Sequence, residues 1–296
     1  MNIVVTGASG LIGSALVPAL RSDGHTVTKL VRRDPRADDE ARWDPMRGEV
    51  DGSAVAAADA VVNLAGAGIG DRRWTASYKR QVYDGRINGT GALARALAGA
   101  ADRSRIFISG SAVGYYGDRG GDEVDESSGP GDGFLPHLVV DWEAATQPAA
   151  DAGVRVVTIR TGVVLAAEGG ALGQVLPLFK AGLGGRLGSG RQWLSWIALA
   201  DEVAAIRFLL AADDVSGAVN LTAPQPVRNV DYTKAVGRAL HRPTVLPAPA
   251  FALRAAFPGF ADEGILISQR VMPRRLTDAG FEWRHPEVNA ALQAML

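Results

Sequence analysis

The most constraining feature of the sequence is a glycine-spaced turn near the N-terminus, Thr6-Gly7-Ala8-Ser9-Gly10-Leu11-Ile12-Gly13. A short apolar run, Ile3 to Val5, comes before the turn, and Leu11 to Asp23 carries apolar residues at helical spacing. Gly24 stands where a left-handed helix C-cap is expected. A strand, a glycine turn and a helix in this order predict the first unit of a parallel α/β sheet.

Further short apolar runs alternate with helical stretches, which is typical of strands that are covered on both faces. The predicted strands are Val27–Val31, Ala60–Leu64, Ile106–Ile108, Val154–Ile159 and Val219–Leu221. Right-handed crossovers between such strands give a Rossmann-type doubly wound parallel sheet. We therefore predict an α/β protein whose dinucleotide-binding domain comprises residues 1–165 plus about 201–222.

The pattern changes after Leu165. Glycines crowd the segment Gly169–Gly190, which we interpret as an ordered functional loop over a pocket. Asp201 is expected to cap a helix that ends near Ala211. From Thr222 onward, prolines divide the chain into short helices. These features predict a smaller, mostly helical C-terminal cap domain for the substrate, made of about 166–200 plus 223–296.

Composition narrows the possible partners. The chain has 31 basic and 32 acidic residues, so its net charge of −1 gives no reason to expect nucleic acid or an anionic membrane. Cysteine is absent, the four histidines are scattered, and the acidic stretch Asp118–Asp132 lacks the calcium-loop pattern, so we expect no metal site. No targeting segment is visible. We expect a cytoplasmic protein with a small-molecule substrate, and the sequence leaves its oligomeric state open.

The glycine spacing suits a pyrophosphate. The first glycine allows a tight turn, the second lets the backbone approach the phosphates, and the third lets the helix pack on the strand, while the helix N-terminus supplies N–H donors. The alternative is that these glycines merely make a turn. The predicted cofactor contacts of this segment are Gly7, Ser9, Gly10, Leu11, Ile12 and Gly13.

Together with Asn63-Leu64-Ala65-Gly66, the turn resembles the extended short-chain dehydrogenase/reductase superfamily. Several further motifs are similar to an atypical branch of it, a sugar-nucleotide-epimerase-like family with its own C-terminal domain, within the NAD-dependent epimerase/dehydratase superfamily. They include Ser111-Ala112-Val113-Gly114-Tyr115-Tyr116-Gly117, Asp141-Trp142-Glu143, Arg160-Thr161-Gly162, Trp196-Ile197 and Gln269-Arg270-Val271. The resemblance implies a nicotinamide cofactor, with contacts from Leu64, Ala65, Gly66, Arg86, Ser109 and Thr161.

The choice of dinucleotide depends on the end of the second predicted strand. An NAD site needs an acidic residue there for the ribose hydroxyls, whereas the chain has Arg32-Arg33. A guanidinium pairs with a 2′-phosphate and stacks on adenine, so NADP(H) is favoured. The following Asp34 leaves NAD(H) possible, and arginines at a strand end are often simply solvated. Arg86 likewise has two interpretations, a contact to the cofactor or an arginine on the surface of a helix.

Most short-chain dehydrogenases use Tyr-x-x-x-Lys, in which the lysine charge lowers the tyrosine pKa. None of the five tyrosines here has lysine four residues later. In the superfamily a glutamate often lies eight residues after the tyrosine. Counting back from Glu143 on this basis places Leu135 at the tyrosine position and Val139 at the lysine position. The remaining candidates are Ser111, Tyr115 and Tyr116. Ser111 could bond a substrate oxygen or merely cap a strand end, and the glycine-flanked tyrosines could be packing residues.

A second departure lies after Trp196-Ile197, where the resembling family has His-Ile-acidic-Asp and this chain has Ala198-Leu199-Ala200-Asp201. The composition of the preceding loop suits an anionic or polar substrate, with Arg186, Arg191, Gln192 and Trp193 as candidate contacts. Two hypotheses follow. One is an NADP-dependent oxidoreductase or epimerase, and the other is an NADP(H)-binding sensor or scaffold without turnover.

Overall fold

The structure, a computed structural model, describes residues 1–100 and 105–296. The strands are β1 Asn2–Thr6, β2 Thr26–Val31, β3 Glu40–Asp44, β4 Glu49–Val50, β5 Ala60–Asn63, β6 Ile106–Ala112, β7 Glu123–Val124, β8 Arg155–Thr161, β9 Val163–Leu165, β10 Trp193–Leu194, β11 Trp196–Ala198, β12 Gly217–Leu221, β13 Val227–Arg228 and β14 Arg270–Val271. The helices are α1 Leu11–Ser22, α2 Gly52–Ala56, α3 Ala76–Ala98, α4 Phe134–Ala144, α5 Gln147–Asp151, α6 Gly170–Lys180, α7 Leu199–Ala211, α8 Asn229–Leu240, α9 Ala250–Ala256, α10 Arg274–Asp278 and α11 Val288–Met295.

Eight strands form one sheet in the order β12-β8-β6-β5-β1-β2-β3-β4. The pairs from β6 through β5, β1 and β2 to β3 are parallel, and β3 and β4 are antiparallel. After β1 the chain first adds β2, β3 and β4 on one side of β1, and it later adds β5, β6, β8 and β12 on the other side. This reversal between β1 and β5 is the switch point at which doubly wound sheets bind ligands, beyond the carboxyl ends of the strands. The predicted Rossmann-type fold is confirmed.

The chain divides into two compact units. The first comprises Met1–Ser111, Leu138–Ile159 and Val203–Val219. Its core side chains come from continuous apolar strands and from the inner face of α3, including the buried Val4, Leu30, Val61, Leu93 and Phe107. Each such residue contributes about 1.5–3 kcal/mol on burial, which is why the apolar runs of the sequence located the strands.

The second unit comprises Ala112–His137, Arg160–Glu202 and Asn220–Leu296. Its core joins the parallel pair β9 and β11 to α6, α8 and α11, with Leu165, Leu176, Trp196, Val236 and Leu292 buried.

Residues 112–137, which the sequence placed in the dinucleotide-binding domain, are grouped with this second unit. The reason is a non-local pairing, since β7 pairs with β14, and Val113, Tyr116, Val124 and Val271 share a core cluster.

Two local expectations were wrong. The glycine-rich segment is not a loop throughout, because Leu172, Leu176 and Phe179 recur at helical spacing and bury one face of α6. Asp201 does not cap its helix from outside, since α7 begins at Leu199. The Asp201 carboxylate instead accepts backbone N–H bonds from Arg284 at 2.8 Å and His285 at 2.9 Å.

Across residues 1–100 and 105–296, no helix is long and apolar enough to cross a membrane.

Candidate functional site

The glycine turn between β1 and α1 is fixed by close backbone contacts. Gly7 has a φ of +66°, and a Cβ there would lie 2.7 Å from the Leu64 carbonyl atoms. A Cβ on Gly13 would lie 2.2 Å from the Gly7 carbonyl oxygen. These approaches leave no room for a side chain at either position. Ser9 and Gly10 are exposed, so the backbone between the two tight positions is accessible to a ligand.

Helix α1 begins without help from a side chain. Its N-cap is Gly10, which supplies no side-chain acceptor. The first amides of a helix have no intrahelical acceptor, and together with the helix dipole they make an anion-binding end. Leu11 and Ile12 stand at this end, half-buried. The geometry therefore suits a phosphate or pyrophosphate.

A buried polar network holds the adjacent strand end in place. The Thr6 hydroxyl donates to the Asn63 side-chain oxygen at 2.6 Å and accepts the backbone amides of Leu64 and Ala65, each at 3.1 Å. The Asn63 amide in turn donates to the Thr90 hydroxyl at 2.9 Å. Because every member is buried and bonded, Leu64, Ala65 and the exposed Gly66 have a fixed path beside the glycine turn.

Arg86 on α3 is a buried cation beside the same segment. Its guanidinium donates to the Ala67 carbonyl at 3.0 Å and the Val82 carbonyl at 3.2 Å, and lies over the Trp142 ring. No carboxylate of the described chain pairs with it, and its Nε has no hydrogen-bond partner there. Desolvation lowers the Arg86 pKa to about 10. An uncompensated buried cation is costly, which favours an anionic ligand at this place.

The two arginines after β2 have different surroundings. Both terminal nitrogens of Arg33 donate hydrogen bonds to the Glu40 carboxylate, each at 2.7 Å, and these bonds lower the Glu40 pKa to about 2. Arg32 is exposed and forms no ion pair or side-chain hydrogen bond with the residues described. Of the two guanidinium groups, Arg32 is the one whose donors stay available for a 2′-phosphate.

Ser109 and Ser111 lie on β6. Ser109 is fully buried opposite Asn63, so its side chain presents no exposed surface to a ligand. The Ser111 hydroxyl donates at 2.6 Å to the carboxylate of Glu143, which lies on α4. With its proton directed to Glu143, the Ser111 oxygen is left to accept a hydrogen bond from a ligand.

Tyr115 and Tyr116 surround the guanidinium of Arg160 in the second unit. The guanidinium carbon lies 3.4 Å from the Tyr115 ring centroid, and a terminal nitrogen donates to the Tyr116 hydroxyl at 3.1 Å. Tyr116 is fully buried and donates to Asn220 at 2.8 Å. Burial raises the Tyr116 pKa to about 12, away from the value that a base at neutral pH needs. These contacts favour a packing role for Tyr116, while Tyr115 stays half-buried.

Thr161, at the end of β8, donates from its hydroxyl to Glu202 at 2.9 Å. Glu202 is fully buried in the first turn of α7, and burial raises its pKa to about 8. Its second carboxyl oxygen has no partner in the described chain. This buried carboxyl beside a predicted cofactor contact was not found from the sequence.

The candidate substrate residues lie on the loop that follows α6. Gln192 donates its amide to the Leu187 carbonyl at 3.0 Å and so holds the loop itself. Trp193 has the guanidinium carbons of Arg228 and Arg270 at 4.6 Å and 5.0 Å from its ring centroid. Exposed Arg186 and Arg191 make no ion pair in the part of the chain that the structure describes. This loop therefore carries an excess of positive charge.

Two cavities lie apart from all the predicted residues. One of about 380 Å³ in the first unit is lined by residues including Arg47, Asn88 and Arg95. The other, of about 570 Å³ in the second unit, is lined by Lys234, Gly237, Arg238, His241, Arg242, Pro243 and Thr244. Neither contains a residue of the glycine turn, so the candidate site rests on backbone geometry and charge and not on cavity volume.

Sequence reasoning missed the side chains that position the site from a distance. Thr6, Thr90, Glu143 and Glu202 act through hydrogen bonds to residues far away in the chain. Trp142 and Glu143 did stand inside a motif that supported the resemblance, and that motif was the available signal. A buried Glu202 leaves no such trace, because an acidic residue in the first turn of a helix is ordinary.

Known proteins match the chain over its length. Residues 3–222 match the NAD dependent epimerase/dehydratase family, and residues 248–295 match a domain of unknown function, DUF1731. An epimerase family protein of Mycobacterium bovis is 51% identical over 98% of this chain and 96% of its own. The human epimerase family protein SDR39U1 is 36% identical, with 100% of both chains covered.

Solved structures agree. A crystal structure of human SDR39U1 with NADPH has a TM-score of 0.90 and 34% identity, covering 100% of this chain and 99% of that one. The UDP-glucose 4-epimerase of Thermus thermophilus in complex with NAD covers 100% and 97% of the two chains, with a TM-score of 0.77. At 18% identity that second likeness shows the fold alone. With the family match spanning residues 3–222, the chain belongs to the NAD-dependent epimerase/dehydratase family and carries that family's Rossmann-type fold.

Proposed function

We propose that this protein binds NADP(H) and acts as an oxidoreductase or epimerase on a small polar substrate. The observation that carries the proposal is the turn after β1, where Gly7 and Gly13 admit no side chain and α1 starts without a side-chain cap. Such an end offers amide donors to a pyrophosphate. Leu64, Ala65 and Gly66 would line the adenosine side.

Two cations support the phosphorylated coenzyme. Arg32 is exposed and unpaired in the described chain, and a 2′-phosphate would give it a charge-assisted partner. The buried Arg86 would gain the negative charge that it lacks. The NADPH in the crystal structure of human SDR39U1 is consistent with this choice, while the NAD bound by the Thermus enzyme keeps NAD(H) as the alternative.

A bound nicotinamide would supply or accept the hydride. The residues of this chain would orient the substrate, since Ser111 is the candidate that keeps a free lone pair. Tyr115 keeps partial exposure and is the remaining phenol candidate. The positively charged loop with Arg186, Arg191 and Trp193 would attract an anionic group of the substrate.

The second candidate function is an NADP(H)-binding sensor or scaffold without turnover. Two predicted catalytic side chains favour it because they already form hydrogen bonds within the protein. Ser111 bonds to Glu143, and Tyr116 bonds to Asn220. Turnover of any carbonyl or nucleotide-sugar substrate that is abolished by Ser111→Ala would dismiss this alternative.

Isothermal titration with NADPH and NADH tests the cofactor proposal. We expect NADPH to bind at least tenfold more tightly, because one charge-assisted contact to the 2′-phosphate is worth about 1.5–3 kcal/mol. Equal affinities would remove the argument from Arg32, and no binding of either coenzyme would remove the proposed function.

A further inference from the structure

The cavity of about 570 Å³ in the second unit lies at the end of α8. Its volume is comparable to that of small-molecule sites. The last two turns of the helix and the turn that follows line it, with Lys234, Gly237, Arg238, His241, Arg242, Pro243 and Thr244. None of these residues is a predicted coenzyme or substrate contact, so the proposed function gives the cavity no role.

The charges on the wall of this cavity have one sign. Lys234, Arg238 and Arg242 are cations, and His241 becomes one when its ring is protonated. No aspartate or glutamate lines the cavity, and none of the four basic side chains forms an ion pair within the part of the chain that the structure describes. Cations gathered around one cavity repel each other, and an anion bound between them would offset this repulsion. The uncompensated charge therefore indicates an anionic ligand.

Neutral oxygens of the protein hold the two guanidinium groups of the cavity. Arg242 donates from Nε to the Lys180 carbonyl at 3.0 Å and from a terminal nitrogen to the His241 carbonyl at 3.2 Å. Arg238 donates from a terminal nitrogen to the side-chain oxygen of Asn289. These bonds restrict both side chains without cancelling their charge, so less conformational entropy is lost when they bind an anion.

The end of α8 places His241 in an unusual backbone conformation. Its φ of 53° and ψ of 45° lie in the left-handed region, and no other non-glycine residue that the structure describes has a positive φ. The amide of His241 donates to the Arg238 carbonyl at 3.1 Å, and the Arg242 amide donates to the Gly237 carbonyl at 2.9 Å. Glycine is the usual residue at such a helix end, because a side chain there costs free energy. The chain thus keeps an imidazole on the cavity wall against a backbone cost, which is a feature of ligand sites.

The turn after α8 packs closely against the helix. A Cβ on Gly237 would lie 2.4 Å from the Thr244 Cγ2 atom and 2.8 Å from the Arg242 carbonyl oxygen, so a side chain does not fit there. Pro243, between these two turn residues, restricts the backbone further through its ring. The cavity wall therefore rests on a constrained backbone, which lowers the cost of ordering it around a ligand.

We propose that this cavity binds the phosphate groups of a small phosphorylated molecule. A phosphate offers several acceptor oxygens and multiple negative charge, which suits guanidinium and ammonium donors. The several basic side chains around one cavity favour such a ligand over a single carboxylate. The net charge of −1 gives the chain no long-range attraction to nucleic acid or an anionic membrane, which favours a small soluble ligand. The site goes beyond the proposed function, since it needs neither the coenzyme nor the substrate.

The probe is inorganic pyrophosphate at neutral pH, followed through the imidazole proton resonances in NMR spectra of the full chain. The chain has four histidines, and the His241 resonance is identified by its loss in His241→Asn, because asparagine tolerates the left-handed backbone. This resonance reports on the cavity itself, whether or not pyrophosphate also binds at the glycine turn. We expect it to shift saturably with pyrophosphate and to shift less with sodium chloride at the same ionic strength.

Lys234→Gln tests the contribution of the charge. Lys234 is exposed and makes no side-chain hydrogen bond in the described part of the chain, so its replacement leaves the fold intact. We expect pyrophosphate to bind about tenfold more weakly, because the lysine would provide one charge-assisted contact. The matched control is Arg80→Gln, which removes one exposed cation from α3, outside the cavity, and leaves the affinity unchanged.

A His241 resonance that moves no more with pyrophosphate than with sodium chloride overturns the inference, and so do equal affinities of Lys234→Gln and the wild type. Sedimentation with vesicles that contain phosphatidylserine tests a lipid headgroup as the source of the phosphate. Cosedimentation of the wild type that is lost in Lys234→Gln would overturn the choice of a small soluble ligand. None of these outcomes bears on NADP(H) binding, which the titration with NADPH and NADH measures separately.

Discussion

The glycine turn after β1 and the segment from Ser111 to Tyr116 show two different relations between sequence and site. At the turn, each key glycine is required by backbone atoms close to it, such as the Gly7 oxygen 2.2 Å from a Cβ on Gly13. In the second segment, the polar side chains are occupied by distant partners, Glu143 for Ser111 and Asn220 for Tyr116.

The difference teaches that a backbone requirement can be inferred from spacing, whereas the availability of a side chain cannot. Glycines at this spacing mark positions where a side chain cannot fit, and contacts with nearby backbone atoms enforce this. A serine or tyrosine states only what chemistry is possible. Its partner, and thus its role, comes from elements that fold against it.

The strongest test of the first region is Gly13→Ala. The new methyl group would collide with the Gly7 carbonyl oxygen, which cannot withdraw without opening the turn. We expect NADPH affinity to fall by at least about 100-fold, equivalent to about 2.7 kcal/mol. Gly52→Ala is the matched control, since its Cβ would meet open space and its φ is not positive. Titration of both variants with NADPH decides the matter, and similar affinities would contradict the steric argument.

Arg32→Ala tests the assignment of the 2′-phosphate. Its loss should weaken NADPH by about 10-fold to 100-fold and leave NADH nearly unchanged, because the removed contact is charge-assisted and specific to the phosphate. Arg33→Ala should have a smaller effect on NADPH, since that guanidinium is already paired with Glu40. A larger loss in Arg33→Ala than in Arg32→Ala would reverse the assignment.

Protein stability should depend on pH through Glu202. Its pKa is raised from 4.5 to about 8 in the folded protein, so the folded state binds more protons than the unfolded state between these values. The free energy of unfolding attributable to Glu202 therefore falls as pH rises through this window. Urea unfolding of wild type and Glu202→Gln at several pH values measures this. An unchanged difference between them across the window would contradict the raised pKa.

Tyr116→Phe gives the smallest effect and tests the second region. Removing the hydroxyl leaves the Asn220 oxygen and the Arg160 nitrogen without this partner, at a cost of about 1–2 kcal/mol in the free energy of unfolding. Because Tyr116 has a packing role in this interpretation, NADPH affinity should not change. A loss of coenzyme binding or of turnover out of proportion to the loss of stability would return Tyr116 to the catalytic candidates.

Much of the first unit could be predicted from the sequence, because its strands are continuous apolar runs and its turn is a local motif. The strand ends of β1 and β5 fall within one or two residues of the predicted positions. The assignment of residues 112–137 could not be predicted, since β7 pairs with β14 across a long stretch of chain. Neither could the complete burial of Glu202 and its hydrogen bond with Thr161.

The uncapped start of α1 has a consequence for the empty protein. In other helices a serine or aspartate side chain often caps the first amides. If the diphosphate accepts these hydrogen bonds in α1, the coenzyme acts as the N-cap of that helix. The amide protons of Leu11 and Ile12 should then exchange quickly with solvent in the apoprotein and slowly once NADPH is added. The melting temperature of the protein should also rise as the NADPH concentration increases.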